Sequence, residues 1–261
     1  MTHSLDPVTL RASLVTSGSP WLDVEHHASI GSTNARAAEI GGPWHVVAAD
    51  HQSTGRGRLS RVWEAPPGSS VAVSATVPMP PSGPGWLPLL TGLAVAEAVE
   101  ETTGLRAHLK WPNDVLLEAD GDRKVCGILC EVAAHGVVVV GAGINVAQSR
   151  AELPVDTATS LRLAGAEVDR TALVTAYLRH LASRYAVLLA GARAAAGARA
   201  AYRERCSTLG LAVRLTQPAA ADVVGRAVEV DDEGRLVIES AGQRRAWAAG
   251  DVVHVRGDAT G

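Results

Sequence analysis

The sequence contains no phenylalanine, and only two of its 24 Lys+Arg residues are lysines. Arginine carries a permanently charged planar fork, whereas lysine carries a compact ammonium on a flexible stem, so the two are not interchangeable. Arginine evidently serves wherever this chain needs a general positive charge. The two positions that remain lysine, Lys110 and Lys124, are therefore the first candidates for chemistry.

Cysteine, long apolar runs and basic charge are also scarce. Three cysteines, an odd number, do not make a disulfide framework, which favours a reducing compartment. Residues 1–6 lack the basic and apolar regions of a secretory signal, and no apolar run approaches the roughly 18 residues of a membrane span. The net charge of −3 argues against a dedicated nucleic-acid-binding protein, which is usually basic. We therefore predict a cytoplasmic protein with no membrane partner.

The order of apolar and turn-forming segments predicts an α+β fold of two domains, residues 1–206 and residues 207–261. Asp6-Pro7 is typical of a helix start, with aspartate as the cap. Further helices are predicted over 87–101, 169–189 and 193–206. Strands are predicted over 44–49, 70–77, 109–111, 115–117, 125–133 and 137–140. Five short strands predict a small C-terminal β-barrel, at 213–215, 223–230, 236–240, 244–248 and 252–255.

Residues 52–69 form an irregular stretch that is long for a connection inside a domain, and such loops are often functional. Gly55 and Gly57 lack side chains, so backbone N–H groups there can approach an anion closely. We call this stretch the arginine loop, because it contains Arg56, Arg58 and Arg61. If the segment is extended, Arg56 and Arg58 point the same way. A solvated loop and an RNA-binding Arg-Gly segment are the alternatives, but the latter usually repeats, so a small anionic ligand is favoured.

Gly31-Ser-Thr-Asn34 precedes a helical stretch at 35–40. Ser32 or Thr33 is expected to cap this helix. A helix N-terminus also attracts anions, so the capping role and a ligand-binding role are compatible.

Lys110-Trp-Pro-Asn-Asp114 places a proline just after a strand, which marks an edge or a turn. Asn113 and Asp114 form an Asx turn in one interpretation. In the other, the same residues suit a nucleotide and its Mg²⁺, because aspartate supplies a hard oxygen ligand and lysine neutralises phosphate.

Lys124 begins an apolar strand, where poor solvation strengthens its interaction with a carboxylate or phosphate. Gly127, on the same strand, leaves room for a ligand, as do Gly141 and Gly143 in the next glycine-rich segment. Val146 stands where a dinucleotide fingerprint requires its last glycine, which excludes that motif.

Taken together, these segments resemble the biotin protein ligase family. Ser-Thr-Asn, Gly-Arg-Gly-Arg-x-x-Arg-x-Trp, Lys-Trp-Pro-Asn-Asp, Lys-x-x-Gly-Ile-Leu-x-Glu and Gly-x-Gly-x-Asn-Val occur in that family's order, over residues 32–146. The resemblance implies a mixed β-sheet catalytic domain of the biotin/lipoate ligase type, followed by a small SH3-like β-barrel.

The resemblance also implies roles for individual residues. Lys124, Arg58 and Lys110 would be catalytic, and Asp114 would be a Mg²⁺ ligand. The implied biotin-binding residues are Ser32, Thr33, Asn34, Gln52, Gly55, Arg56, Gly57, Arg58, Lys124, Gly127, Gly141 and Gly143. The implied ATP-binding residues are Arg58, Arg61, Trp63, Lys110, Asn113, Lys124 and Asn145. Residues 146–160 would close on the adenine side.

The implied reaction joins biotin to ATP as biotinyl-5′-AMP and then transfers biotin to a lysine of a carboxylase's biotin carboxyl carrier domain. Only 31 residues precede Ser32, too few for the DNA-binding domain of some family members, so we expect no DNA binding. A monomer or weak homodimer is expected. The alternatives are a lipoate or octanoate ligase or transferase of related fold, which the arginine loop and the barrel disfavour, and a non-enzymatic nucleotide- or RNA-binding module.

Overall fold

The helices and strands below come from a computed structural model that describes residues 4–218 and 220–255. The helices are α1 (Pro7–Leu14), α2 (Thr33–Ile40), α3 (Trp86–Thr103), α4 (Arg170–Leu189) and α5 (Ala192–Arg205). The strands before α4 are β1 (Asp23–His27), β2 (His45–Ala49), β3 (Gly55–Arg56), β4 (Val62–Trp63), β5 (Ser70–Pro78), β6 (Ala107–Lys110), β7 (Asp114–Leu117), β8 (Arg123–Val132) and β9 (Val137–Asn145). The strands after α5 are β10 (Ala212–Thr216), β11 (Val223–Val230), β12 (Leu236–Ser240), β13 (Gln243–Trp247) and β14 (Asp251–His254).

A seven-stranded mixed sheet, ordered β1-β2-β5-β9-β8-β7-β6, forms the centre of the larger domain. Its β1–β2 pair is parallel and its other pairs are antiparallel. Alternate residues of one strand face opposite sides of a sheet. Val138 and Val140 of β9 accordingly join the main core with α3 and α4, whereas Val139 packs against Ala37 of α2. The α2 side of β9 therefore carries the predicted glycines, Gly141 and Gly143.

The helix boundaries follow from their capping residues. Asp6 caps α1 by accepting hydrogen bonds from the backbone N–H groups of Val8 and Thr9, at 2.9 and 3.2 Å. Gly104 ends α3 in the left-handed conformation, with φ of 72°. Among the described helices, none combines the length and apolar character that a membrane crossing requires.

The second sheet, ordered β13-β12-β11-β10-β14, is antiparallel throughout and matches the predicted C-terminal barrel. Two buried tryptophans of the larger domain are tied to one turn of the barrel. Trp86 Nε1 donates to the carbonyl oxygen of Asp232 at 2.9 Å, and Trp111 Nε1 donates to that of Gly234 at 3.1 Å. The division at residues 206 and 207 stays a prediction.

Several elements differ from the sequence-based expectation, including the β3–β4 hairpin within the stretch expected to be irregular. Strand β1 was not predicted, because Asp-Val-Glu-His-His buries only Val24 and shows no apolar alternation. It forms by parallel pairing with β2, a long-range contact that a local pattern does not contain. Strand β9 is longer than expected. It joins the strand predicted over 137–140 and the glycine-rich segment that follows into one continuous strand.

Candidate active site

A cavity of about 490 Å³ opens on the α2 side of the large sheet, between the arginine loop, strands β8 and β9, and the barrel. The loop segment 55–63 starts and ends in the β3–β4 hairpin. The predicted site residues that line this cavity are Ser32, Thr33, Asn34, Gln52, Arg56, Gly57, Arg58, Arg61, Trp63, Lys110, Asn113, Asp114, Lys124, Gly127, Gly141, Gly143 and Asn145. The fold therefore gathers residues from four separate parts of the chain into one concave site.

One end of the cavity is lined by amide and hydroxyl groups. Gln52 Oε1 accepts hydrogen bonds from the backbone N–H and the hydroxyl of Thr33, at 2.8 and 2.9 Å. Ser74 Oγ donates to Asn34 Oδ1 at 2.6 Å, and Asn34 Nδ2 donates to Glu131 Oε2 at 2.7 Å. Donors and acceptors are thus held in fixed positions, which suits a ligand that carries both in a small polar ring.

The start of α2 contributes to this polar end as predicted. Ser32 is the N-cap, and its hydroxyl accepts from the backbone N–H of Ala35 at 3.4 Å. Thr33 and Asn34 follow in the first turn and are buried. The helix start therefore both forms its cap and aims two polar side chains at the sheet.

Two of the predicted glycines make room for protein side chains. A Cβ at Gly141 would overlap Asn34 Oδ1, so glycine there allows α2 to approach β9. A Cβ at Gly55 would overlap the carbonyl oxygen of Trp63, across the β3–β4 hairpin. Gly55 does not line the cavity, and its observed role is to allow this hairpin to close.

A pair of glycines forms a flat shelf on the cavity floor. Gly127 of β8 and Gly143 of β9 are direct cross-strand partners. The indole of Trp63 lies on this shelf, because a Cβ at Gly143 would come within 2.5–2.8 Å of three indole atoms. A Cβ at Gly127 would lie 3.2 Å from the same ring and 3.1 Å from Lys124 Nζ. The shelf therefore holds an aromatic ring, with the Lys124 ammonium 5.9 Å from the ring centroid.

The other end of the cavity is rich in cations. Lys124 Nζ lies 2.7 Å from Asp114 Oδ1, and Lys110 is the cross-strand partner of Asp114. Arg58 Nη1 donates to Asn113 Oδ1 at 3.1 Å. Asn113 is held in turn, because its Nδ2 donates to the carbonyl oxygen of Ile128 at 3.0 Å. The side-chain oxygen of Asn113 thus binds the arginine loop, and its side-chain nitrogen binds β8.

Burial shifts the two cations that lie deepest in this end. Loss of hydration lowers the pKa of Lys110 and of Arg58, although Asp114 opposes the shift in both. Neighbouring positive charges lower the two pKa values further, with Lys124 and Arg61 acting on Lys110 and Arg61 acting on Arg58. An anion that enters the cavity would relieve this repulsion, so the cavity is electrostatically suited to bind anions.

Arg56 and Arg58 would point the same way only if the segment were extended, and they reach opposite ends of the cavity instead. The segment Arg58–Ser60 forms a tight turn with Leu59 at φ of 54°, so the loop is not extended. Arg56 Nη2 donates to Glu131 Oε2 at 3.3 Å, at the polar end of the cavity. Arg58 reaches Asn113 at the cationic end instead.

Residues 150–160 are fastened against the start of β8, beside Lys124. The backbone N–H of Lys124 donates to Thr157, and the backbone N–H of Thr159 donates to Lys124, both at 2.8 Å. Asn145 Nδ2 donates to the carbonyl oxygen of Thr159 at 2.9 Å. Asp120 accepts from the Thr159 hydroxyl at 2.5 Å and from Arg150 at 2.7 Å. Burial raises the pKa of Asp120, but its bonds to Thr159 and Arg150 together outweigh burial, so the pKa is lowered.

The described residues do not assemble a metal site of their own. No group of three His, Cys, Asp or Glu side chains in residues 4–218 and 220–255 is placed to hold a metal ion. Asp114 is a single carboxylate that already pairs with Lys124. Its assignment as a Mg²⁺ ligand therefore depends on other ligands that a nucleotide's phosphates would supply.

Sequence reasoning missed several residues that hold the lining side chains of the cavity in place. Ser74 lies in an apolar strand and gave no signal. Glu131 ends the Lys-x-x-Gly-Ile-Leu-x-Glu motif, but its contacts with Asn34 and Arg56 depend on strand register. Gly250 and Asp251 come from the barrel, and only the fold brings them to the arginine loop.

Comparison with known proteins agrees with this arrangement. The model of the biotin/lipoate A/B protein ligase family matches residues 35–148, and that of the biotin protein ligase C-terminal domain matches residues 208–255. The chain is 38% identical to the biotin–[acetyl-CoA-carboxylase] ligase of Mycobacterium tuberculosis, over 97% of this chain and 96% of that protein. It is 31% identical to the bifunctional ligase/repressor BirA of Bacillus subtilis, over 82% of this chain and 69% of that protein.

A solved structure shows the same fold. The biotin protein ligase from Aquifex aeolicus in complex with biotin and ATP superposes with a TM-score of 0.76 and 26% identity, over 89% of this chain and 98% of that one. The catalytic sheet, the C-terminal barrel and near full-length similarity to a named ligase thus coincide in one chain. The chain therefore belongs to the biotin protein ligase family.

Proposed function

We propose that this protein is an ATP-dependent ligase that activates biotin as biotinyl-5′-AMP and transfers it to a lysine of a biotin carboxyl carrier domain. The observation that carries the proposal is one cavity with two chemically different ends. Thr33, Asn34 and Gln52 present hydrogen-bonding groups at one end, and Arg58, Lys110 and Lys124 present cations at the other. Biotin has a neutral polar ring with an acidic tail, and ATP carries the polyphosphate. The two substrates placed end to end match this order of groups.

In the first step, a carboxylate oxygen of biotin attacks the α-phosphorus of ATP, and pyrophosphate leaves with the electrons of the broken P–O bond. Two anions have to meet for this bond to form. Lys124 lies at the cationic end next to the Gly127–Gly143 shelf, and Arg58 lies beside Asn113, so both are placed to offset the repulsion and to stabilise charge in the transition state. This role also explains why burial has been tolerated at Arg58 and Lys110 despite their lowered pKa values.

In the second step, the neutral amine of a carrier lysine attacks the acyl carbon, AMP leaves, and the amine loses its proton to form the amide. An acyl-adenylate hydrolyses readily, so the intermediate has to be shielded from water. The arginine loop and residues 146–160 flank the cavity and supply this cover. No nucleophile of the enzyme is required.

Mg²⁺ is expected to enter with ATP, with the phosphates as its main ligands and Asp114 as one candidate protein ligand. When bound, it would neutralise phosphate charge. The remaining partners are the carrier domain of an acyl-CoA or pyruvate carboxylase, in the cytoplasm, where ATP is available. A monomer or weak homodimer without DNA binding stays our prediction.

Biotin-dependent exchange of labelled pyrophosphate into ATP tests the proposal directly. We expect exchange with biotin and none with lipoate or octanoate. Exchange with lipoate alone would favour the related lipoate ligases, and nucleotide binding without any exchange would favour a non-enzymatic module. Transfer is then tested with a purified carrier domain and its lysine-to-arginine variant, of which only the first should become biotinylated.

A further inference from the structure

The C-terminal barrel contacts the arginine loop at the mouth of the cavity. Arg61 Nη2 forms an ion pair with Asp251 Oδ2, across 190 residues of sequence. Both terminal nitrogens of Arg58 donate to the carbonyl oxygen of Gly250, each at 3.3 Å. Gly250 and Asp251 thus bind two arginines of one loop.

These contacts are built into the barrel rather than incidental. Gly250 has φ of 146°, and a Cβ there would meet Leu215 Cγ at 3.0 Å, so packing against the barrel core fixes the direction of its carbonyl group. Asp251 follows in β14, where it pairs with Thr216 of β10. Its side chain is 24% exposed, against 65% for Arg61. The more rigid partner is therefore the barrel carboxylate, and the loop arginine comes to it.

The loop has no comparable support of its own. Its backbone closes on itself through the Gly57 N–H, which donates to the carbonyl oxygen of Arg61 at 2.7 Å. Leu59, at its tip, is 51% exposed. Among the described side chains of the turn, those of Arg58 and Arg61 hydrogen-bond it to elements outside the β3–β4 hairpin. Loss of the barrel contacts should therefore free the turn without unfolding the hairpin.

We infer that residues 250–251 act as a latch for the arginine loop, and that Asp251 is a positioning residue that holds Arg61 so that the loop stays closed over the acyl-adenylate. The inference rests on the proposed function for the identity of the enclosed intermediate. The contact between barrel and loop is independent of that function. It assigns the barrel a part in retaining the intermediate, through one carboxylate and one carbonyl group.

Two measurements on the full-length protein test the latch. The first is the rate of trypsin cleavage after the loop arginines without any ligand, followed by peptide mapping. The second is the rate at which biotinyl-5′-AMP, formed from biotin and ATP on the enzyme, is released. Asp251→Asn should raise both rates about two- to fivefold, the range expected for a partly exposed ion pair. Asp251→Arg should raise them further, to about tenfold, because it places like charges together, and Asp251→Glu should stay near wild type.

Asp222 provides the matched control, since it pairs with Arg214 at 3.4 Å elsewhere on the barrel. Asp222→Asn and Asp222→Arg should leave both rates unchanged, and all variants should keep the wild-type free energy of unfolding. Unchanged loop cleavage in both Asp251→Asn and Asp251→Arg would overturn the latch, as would equal effects from Asp222. Absence of any biotinyl-5′-AMP in the wild type would instead refute the proposed function, while the cleavage experiment would still decide on the latch.

Discussion

Lys124 is held by three neighbours that together leave little freedom. Its ammonium pairs with Asp114 at 2.7 Å, faces the Trp63 ring, and lies where a Cβ at Gly127 would approach it within 3.1 Å. A compact ammonium fits this space, whereas the planar guanidinium of arginine is larger and directs its charge differently. The retention of lysine here, in a chain that otherwise uses arginine, has a steric explanation.

Lys124→Arg should therefore impair adenylation although the charge is kept. We expect biotin-dependent pyrophosphate exchange to fall by at least about tenfold, equivalent to about 1.4 kcal/mol of transition-state stabilisation. Arg123→Lys, at the neighbouring position that does not line the cavity, should retain exchange. Wild-type exchange in Lys124→Arg would remove this residue from the chemistry.

Gly143→Ala tests the shelf. The new methyl group would collide with the Trp63 indole, so the ring has to leave the cavity floor. We expect biotin to bind about tenfold more weakly, as measured by titration calorimetry. Gly42→Ala is the control, because its Cβ would make only ordinary contact with His45, at 3.6 Å. Equal affinities for biotin in Gly143→Ala and wild type would mean that the ligand does not use the shelf.

The elements of the fold differ in how far local sequence predicted them. Helix α1 is indicated by Asp6-Pro7, and the barrel strands by their turns, because caps and turns are local interactions. Strand β1 and the position of Asp251 depend on partners far along the chain, which no local pattern specifies. The motifs predicted which residues line the cavity, but not that Arg56 and Arg58 diverge, since this depends on their partners Glu131 and Asn113, which lie far along the chain.

Segment 150–160 is held in part by the Asp120 carboxylate, and this gives its stability a pH dependence. Asp120 has a lowered pKa in the folded protein. Its stabilising contribution is therefore complete above the ordinary aspartate pKa of about 3.9 and is lost as the pH falls through the lowered value. Asp120→Asn should lower the free energy of unfolding by about 1–2 kcal/mol at pH 7.

This difference should shrink as the pH falls through the lowered pKa of Asp120, below which the carboxyl group is protonated in the folded and unfolded states alike. Chemical denaturation at several pH values measures the difference in the free energy of unfolding between Asp120→Asn and wild type. Asp156→Asn, at an exposed position of the same segment, is the control and should show little effect at any pH. A difference between Asp120→Asn and wild type that does not change with pH would refute the electrostatic explanation.

The two domains are joined through close backbone contacts and not only through side chains. A Cβ at Gly85 would overlap the carbonyl oxygen of Glu233, and one at Gly234 would lie 2.7 Å from the Gly85 carbonyl carbon. The adjacent Trp86 packs its ring edge-to-face against Tyr202, with centroids 5.7 Å apart. The barrel turn at 231–234 therefore docks on the start of α3 where Gly85 and Gly234 permit close backbone approach.

Gly85→Ala should disturb this docking and lower the free energy of unfolding by about 1–3 kcal/mol. Gly197→Ala, inside α5 and with open space around its Cα, should be neutral or stabilising by up to about 1 kcal/mol. Thermal and denaturant unfolding of the two variants measure the difference. If Gly85→Ala is as stable as Gly197→Ala, the domains do not depend on this contact.

The distribution of lysine over the whole molecule has a practical consequence for labelling. Both lysine side chains line the cavity, so reagents that acylate amines find no other side-chain amine in the chain. Apart from the α-amino group of the chain, amine coupling can therefore reach the protein only inside the cavity, and tagging of either lysine side chain is expected to block it. Conversely, modification by a mild amine reagent reports on the cavity, because a bound ligand should protect Lys110 and Lys124 from the reagent.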